Sequence, residues 1–210
     1  MADFINTIDA LGDDAVIDSI IDRSITEFKD DTLTTIGQYA FSKCTALTEV
    51  NFPNVTTIKP RAFWQASISS ALVLPKVERI EDYAFNATGL MKSLCLPKLE
   101  YLGYGAFEYC TGLLELDVPS CTTISTAAFR GAPLNTLILR NETTVCTLLA
   151  AMTITWTPIG QGTGYIYVPA ALKSQYEQAT NWSEFAARFR ALEDYTVDGT
   201  TTGELDETKI

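Results

Sequence analysis

Few residues in this 210-residue sequence could carry out chemistry. There is no histidine, which removes the usual general base and the commonest metal ligand. Five cysteines are present without a Cys-x-x-Cys pair, at Cys44, Cys95, Cys110, Cys121 and Cys146. A thiol with no histidine beside it lacks the base that activates nucleophilic cysteines. The sequence therefore predicts no catalytic residue and no metal site.

Two further patterns resemble catalytic or ligand-binding motifs only in part. The adjacent acids Asp13-Asp14 and Asp30-Asp31 stand at a predicted helix start and in a loop. We interpret them as solvated surface and not as a catalytic carboxylate pair. The glycines between Gly160 and Gly164 precede a predicted strand, whereas a phosphate-binding loop precedes a helix and carries Lys-Ser/Thr. We interpret this segment as a turn, and we predict a protein that is not an enzyme and needs no cofactor.

A 22-residue repeat sets the position of most other features. The dipeptide Ala-Phe recurs five times, at 40–41, 62–63, 84–85, 106–107 and 128–129. An aliphatic residue stands ahead of each dipeptide, at Ile36, Ile58, Ile80, Leu102 and Ile124. Four prolines keep the same step, at Pro53, Pro75, Pro97 and Pro119. A unit this short cannot bury its own apolar face, so the repeats must stack on one another.

Each repeat also contains a short alternating apolar pattern. The alternating pairs are Val50/Phe52, Leu72/Leu74, Leu94/Leu96 and Leu116/Val118. A period of two is typical of a strand with one buried face, and the proline that follows ends the strand. The Ala-Phe half indicates a tight helical turn or loop whose phenylalanine fills the interior. We predict an α/β leucine-rich-repeat solenoid with one parallel strand and one helical turn per repeat, and a ladder of phenylalanines inside.

The repeat resembles the BspA-like subfamily of leucine-rich repeats. The family pattern is I-G-x-x-A-F-x-x-C-x-x-L-x-x-[IV]-x-[IL]-P, and residues 35–53 follow it most closely. The resemblance covers residues 33 to about 140 and departs from the pattern at Arg61, at Gly105 and over 67–69. It implies a recognition scaffold that is presented on a surface or carried on a virion, and it implies no catalytic residues.

The two ends of the chain are predicted to cover the open ends of the stack. We interpret residues 1–32 as an N-terminal cap, with a helix over 13–22 and a degenerate repeat in which Phe28 takes the position of Val50. Residues 33–140 are the repeats and residues 141–195 an α/β C-terminal cap. Residues 196–210 form an acidic tail, which we expect to be flexible unless a partner orders it.

Within the C-terminal cap the sequence predicts three elements. They are a last strand over 165–169, a helix over 170–179 and a second helix over 181–189. Asn181 or Ser183 is the expected N-cap of the second helix, and Trp182 and Phe185 are expected to plug the stack. This ending resembles the closing segment of repeat proteins in phages and prophages of gut bacteria.

Charge and cysteine spacing restrict the compartment and the partners. The net charge of −11 argues against binding to nucleic acid. Nine acids and two bases stand in 1–31, and six acids and one lysine in 193–210, so the repeats are near neutral. These acidic ends either keep the protein in solution or contact a basic partner during assembly. Cys44 and Cys110 lie three repeats apart, about 14 Å, too far for a disulfide. We expect buried thiols in a reducing setting.

The candidate binding surface combines aromatic residues that the core does not require with outward-facing strand positions. The candidates are Trp64, Tyr101, Tyr104, Tyr109, Glu49, Asn51 and Asp117. We expect the partner to be a protein or a surface glycan, with other virion proteins as further contacts of the acidic ends. Aromatic residues are the expected centres of affinity.

Two locations fit this kind of scaffold. The first residues show no secretion signal and no run is long enough to span a membrane, so we expect no membrane insertion. The first hypothesis is therefore a phage virion protein, either a head decoration or a component of the tail and host-recognition apparatus. The alternative is a bacterial cell-surface, adhesin-like protein that leaves the cell by another route.

Overall fold

Two ladders of short parallel strands run along the repeats. The computed structural model describes residues 23–89, 92–197 and 200–201. The first ladder contains β1 (Glu27–Lys29), β3 (Glu49–Asn51), β5 (Ala71–Val73), β7 (Ser93–Cys95), β9 (Glu115–Asp117), β11 (Thr136–Ile138), β13 (Tyr165–Val168) and β14 (Phe189–Ala191). It is built of two sheets, β1–β3–β5 and β7–β9–β11–β13–β14. The predicted repeat strand is confirmed, and its register advances by 22 residues, with Val50 opposite Leu72.

The second ladder was not predicted. Its six strands are β2 (Thr35–Ile36), β4 (Thr57–Ile58), β6 (Arg79–Ile80), β8 (Tyr101–Leu102), β10 (Thr123–Ile124) and β12 (Thr147–Leu148), and they form one unbroken sheet. The first five of these strands each end on the aliphatic residue that precedes Ala-Phe, and Ile36, Ile58 and Ile80 are fully buried. Two residues are too few to show an alternating pattern, so periodicity does not reveal these strands.

The Ala-Phe half of each repeat is a turn held by its neighbour. Two residues per turn have a left-handed backbone, with φ between 55° and 71° at Tyr39, Lys43, Arg61, Gln65, Tyr83, Ala87, Gly105, Tyr109, Ala127 and Gly131. Eight of these ten are not glycine, so the conformation costs free energy in each turn. Bonds between neighbouring turns compensate, because the Phe41 amide donates to the Ala62 carbonyl at 2.7 Å and the Phe63 amide to the Ala84 carbonyl at 2.8 Å.

The phenylalanines form the predicted ladder at the centre of the stack. Successive ring centroids from Phe41 to Phe129 lie 5.1, 4.9, 5.3 and 6.4 Å apart, and neighbouring ring planes are within 13° of parallel. All five rings are buried. The Cys44 position of the pattern takes small residues that serve the backbone, since Thr88 Oγ1 donates to the Phe63 carbonyl at 2.8 Å and Cys110 Sγ to the Phe85 carbonyl at 2.8 Å.

The C-terminal region continues the first ladder and turns back on it. Its helical elements are α1 (Met152–Thr155), α2 (Ala170–Gln178) and two 3-10 helices, Ser183–Arg188 and Leu192–Asp194. The predicted helix over 170–179 is therefore observed. The prediction that 165–169 is the last strand is wrong, because Phe189 opens β14, which pairs in parallel with β13. The predicted second helix is the shorter 3-10 segment, and neither Asn181 nor Ser183 caps it.

Side chains of this region seal the open edge of the second ladder. The Trp182 indole Nε1 donates to the Cys146 carbonyl at 2.6 Å, and Asn181 Nδ2 donates to the Leu148 carbonyl at 2.7 Å. The Cys146 amide donates to the Tyr176 hydroxyl at 2.9 Å. Trp182 and Tyr176 are buried and in edge contact. Asn181 thus satisfies an edge carbonyl instead of capping a helix, and the strand edge is blocked without a further strand.

The two predicted terminal segments are described only in part. The helix expected over 13–22 lies outside the described residues. Phe28 on β1 lies opposite Val50 on β3, so the described part of the degenerate repeat keeps the register. In the segment expected to be a flexible tail, β15 (Thr196–Val197) pairs antiparallel with β16 (Thr200–Thr201).

Candidate partner-binding surfaces

The seven predicted binding residues lie on three different faces of the solenoid. Glu49, Asn51 and Asp117 are on the first ladder, and Tyr101 is on the second. Trp64, Tyr104 and Tyr109 are on the turns. The structure therefore does not bring the seven together into one site, and each face has its own geometry.

The N-terminal part of the first ladder is open. The side chains of Glu49 and Asn51 on β3 are partly exposed, and Lys29 on β1 bonds to Glu49 at 2.8 Å and to Glu27 at 3.3 Å. The hydrogen bond with Glu49 and then that with Glu27 raise the pKa of Lys29. This surface is a flat, mixed-charge strip.

The C-terminal part of the same ladder is closed. Asp117, 5% exposed, accepts from Arg140 Nε at 2.9 Å and pairs with its Nη2 at 2.8 Å. The Tyr195 hydroxyl crosses the sheet to donate to Glu115 at 2.7 Å, and its ring lies 4.9 Å from that of Tyr167. Asp117 is therefore held inside the protein and presents little surface to a partner.

Tyr101 is isolated from the other aromatic candidates. It is partly buried on β8, and the Arg79 guanidinium lies 3.9 Å from its ring centroid. In the same ladder Thr57 and Thr123 take the equivalent positions. One cation–aromatic pair on a row of threonines makes a small binding surface at most.

The turns bring aromatic and cationic side chains together. Arg61 lies between two rings, 5.7 Å from the Tyr39 centroid and 5.2 Å from the Tyr83 centroid. Tyr104 contacts Tyr83 edge-on at 5.2 Å. Burial and the hydrogen bond with Tyr104 raise the pKa of Tyr83. We call the surface formed by Tyr39, Arg61, Trp64, Tyr83, Tyr104, Tyr109 and Arg130 the aromatic–arginine ridge.

A hydrogen-bonded chain of side chains anchors this ridge. Trp64 Nε1 donates to Asn86 at 3.1 Å, and Asn86 Nδ2 donates to Glu108 at 2.9 Å. Glu108, 2% exposed, forms an ion pair with Arg130, which lies over Tyr109 at 5.7 Å. Burial opposes the charge on Arg130, but the bond to Glu108 prevails and raises its pKa. Because each residue holds the next, the ridge is preorganised along four repeats.

Two glycines let the ridge tyrosines lie flat over the next repeat. A Cβ at Gly105 would stand 2.8 Å from Tyr83 Cδ1, and one at Gly131 would stand 2.5 Å from Tyr109 Cδ1. Both glycines also have positive φ. Tyr109 nevertheless remains 51% exposed.

Sequence reasoning missed Tyr39, Arg61, Tyr83 and Arg130 as members of this surface. A signal existed, because residues 22 apart stand side by side in a solenoid. Tyr39, Arg61 and Tyr83 form one such column in the sequence. Aligning the variable positions of the repeats by column, and not only the apolar ones, finds the tyrosine–arginine alternation.

The residues that the structure describes contain neither a metal-ion cluster nor a membrane-spanning helix. In that part of the chain, no group of three or more acidic or cysteine side chains is arranged to hold a metal ion. None of the helices within it combines the length and apolar character that crossing a membrane requires.

The repeated strand–turn unit and its stacked phenylalanines define a leucine-rich-repeat solenoid. The BspA type leucine rich repeat region matches residues 22–138 in six copies, and the chain belongs to this family. The match begins before the 33–140 expected from the sequence, so it takes in part of the degenerate first repeat.

Solved structures of two bacterial proteins are similar to this chain. A leucine-rich cell surface protein from Faecalibacterium prausnitzii is 24% identical, with a TM-score of 0.55, over 69% of this chain and 39% of that one. A leucine-rich repeat protein from Bacteroides ovatus is 22% identical, with a TM-score of 0.48, over 70% of this chain and 40% of that one. The chain thus spans about two fifths of each. No curated protein sequence matches it.

Proposed function

We propose that this chain is a non-enzymatic recognition module that binds a protein partner through the aromatic–arginine ridge. The observation that carries the proposal is the stack of Tyr39, Arg61 and Tyr83. The same turns carry two further cation–ring pairs, Lys43 over Trp64 and Arg130 over Tyr109. Tyrosine, tryptophan and arginine are the residues that dominate binding energy at protein interfaces.

The ridge is suited to binding because its side chains are already ordered. Hydrogen bonds join each turn to the next, and Arg61 is held between two rings. A partner therefore loses little affinity to the ordering of these side chains. A surface glycan is the second candidate ligand, since flat exposed rings such as Tyr109 also suit sugar faces.

A photo-crosslinking experiment in cells tests whether a protein partner binds the aromatic–arginine ridge. A photoreactive phenylalanine analogue replaces Tyr109 in one sample and Trp156 in a second, matched sample. Trp156 is 59% exposed and lies outside the ridge. We expect mass spectrometry to identify one protein that is attached reproducibly at position 109 and not at position 156. The same adducts at both positions would contradict the proposal. So would the absence of a protein adduct at position 109 together with binding of the purified protein to a glycan array.

Affinity for the captured protein then measures the contribution of the stack. Arg61→Ala removes the cation between two rings and is expected to weaken binding at least about tenfold. The matched variant Arg79→Ala removes the cation over Tyr101 on the second ladder and should leave the affinity unchanged. Equal affinities of the two variants would place the binding surface elsewhere.

Two locations are compatible with a module of this family, a bacterial cell surface and a phage virion. The similarity to a leucine-rich cell surface protein of Faecalibacterium prausnitzii supports a location on a bacterial cell surface. The resemblance of the C-terminal segment to phage repeat proteins supports a virion, as a head decoration or a tail component. Mass spectrometry of purified phage particles and of the host surface fraction separates these locations. Stoichiometric protein in particles supports the virion, and protein confined to the surface fraction excludes it.

A further inference from the structure

Two of the five cysteines meet where the last repeats join the C-terminal region. Cys146 Sγ donates to Cys121 Sγ over 4.0 Å, and both residues are 1% exposed. The two residues stand just before β10 and β12, which pair in parallel with Thr123 opposite Thr147. Extended to these residues, the register places Cys146 opposite Thr122, one position from Cys121, so strand geometry puts the two Cα atoms about 6 Å apart, within the separations that disulfides span.

We propose that Cys121 and Cys146 form a disulfide when the protein folds in an oxidising environment. The sulfur atoms need to approach from 4.0 Å to about 2.05 Å, which rotation of the two side chains supplies. The bond would join two residues that are 25 positions apart, Cys121 and Cys146. It would join a repeat strand to the segment that Trp182 and Tyr176 clamp.

The reaction needs an external disulfide as the oxidant. One thiolate attacks a sulfur of that disulfide, forms a mixed disulfide and expels the first external thiolate. The second cysteine thiolate then attacks the mixed disulfide, closes the Cys121–Cys146 bond and expels the second external thiolate. The protein loses two protons and two electrons, and the external disulfide is reduced to two thiols.

The buried position controls when this reaction happens. The Cys121 thiol and burial raise the pKa of Cys146 well above its ordinary value, so little thiolate exists in the folded state and exchange there is slow. Oxidation should instead proceed during folding, before the pair is enclosed. The three other cysteines remain thiols, and Cys110 is set apart by its bond to the Phe85 carbonyl.

The first test maps the disulfide in the full chain. The protein is refolded with oxidised glutathione, or with reduced glutathione as control, and free thiols are then alkylated in denaturant. We expect three alkylated cysteines after oxidation and five in the control. Cleavage after glutamate separates Cys110 from Cys121, because Glu115 lies between them. A linked peptide pair containing Cys121 and Cys146 is the expected product. Five alkylated cysteines, or a link between another pair, would overturn the proposal.

The second test compares thermal unfolding of the oxidised and reduced protein. A loop of this size predicts that Tm rises by roughly 6–12 °C on oxidation. Cys121→Ala should abolish the dependence on oxidation, and Cys110→Ala, an equally buried control, should keep it. A Tm that is unchanged or lower on oxidation would show that the geometry does not accommodate the bond. None of these readouts depends on the partner that the ridge binds.

Discussion

The two halves of the first ladder are built from the same repeat but present different surfaces. At the second outward-facing position of each strand, Lys29, Asn51 and Val73 in β1, β3 and β5 are exposed or partly exposed. The equivalent residues of the next three strands, Cys95, Asp117 and Ile138, are buried. All six strands are three residues long, so strand length does not explain the difference in burial.

Part of the difference comes from the segment that follows β14. It returns over the sheet, where Tyr195 bonds to Glu115 on β9 and contacts Tyr167 on β13 edge-on. Arg140 fills the adjacent space and pairs with Asp117. A position in a solenoid is therefore a surface or an interior site according to what the chain ends do, and the repeat alone does not decide it.

The largest predicted effect is at the seal of the second ladder, which lies in the same C-terminal region as the closed half. Trp182→Ala removes a buried ring and its bond to the Cys146 carbonyl, and we expect a loss of about 3–5 kcal/mol of unfolding free energy. This corresponds to a Tm drop of roughly 8–15 °C in a calorimetric scan. Trp156→Ala, at an exposed tryptophan of the same region, should change stability by no more than about 0.5 kcal/mol. Similar losses for the two variants would refute the sealing role.

A smaller loss of stability is expected when the ion pair between Arg140 and Asp117 is broken. Arg140→Leu leaves the Asp117 carboxylate buried without its guanidinium, which should cost about 3 kcal/mol in urea denaturation. Replacing both residues by leucine should recover much of that loss, because a buried ion pair and a well-packed apolar pair are often similar in stability. A double variant less stable than the single one would show that this site depends on its charges.

The hydroxyl of Tyr195 makes a modest contribution that depends on pH. Tyr195→Phe removes the bond to Glu115 and should cost about 1 kcal/mol near pH 7. Burial and that bond raise the pKa of Tyr195, so its contribution is present below the unfolded pKa of about 10 and is lost as the pH rises further. The gap between wild type and variant should shrink from about pH 9 to about pH 11. A gap that is independent of pH would mean that the hydroxyl is solvated.

The smallest effect is expected on the open half. Glu49→Gln breaks the ion pair with Lys29, whose side chain is 51% exposed. Exposed pairs contribute little because water and salt screen them. We expect the Tm of this variant to equal that of the wild type within experimental error, at low and at high salt. A clear drop in Tm at low salt would show that the surface around Glu49 and Lys29 is covered.

Much of the architecture could be predicted from the sequence, but little of the candidate site. The 22-residue step predicted the stacked phenylalanines and the inward strand residues, and the local sequence of the C-terminal region predicted the α2 helix. The step did not give the second ladder, since two residues such as Thr57 and Ile58 leave no periodic trace. Of the predicted binding residues, Trp64, Tyr104 and Tyr109 belong to the aromatic–arginine ridge, whose other members the sequence analysis did not identify. Asp117 is buried.

The sequence by itself determined the repeat, because apolar residues at a fixed step can be buried only by stacking on copies of themselves. That requirement is local and can be read from spacing. Only the tertiary structure decided which outward residues stay exposed, because that depends on contacts between distant parts of the chain. Tyr195 lies 80 residues from Glu115, and Cys121 meets Cys146 across an irregular segment. Such contacts do not recur at a fixed spacing, so a pattern of residue types does not predict them.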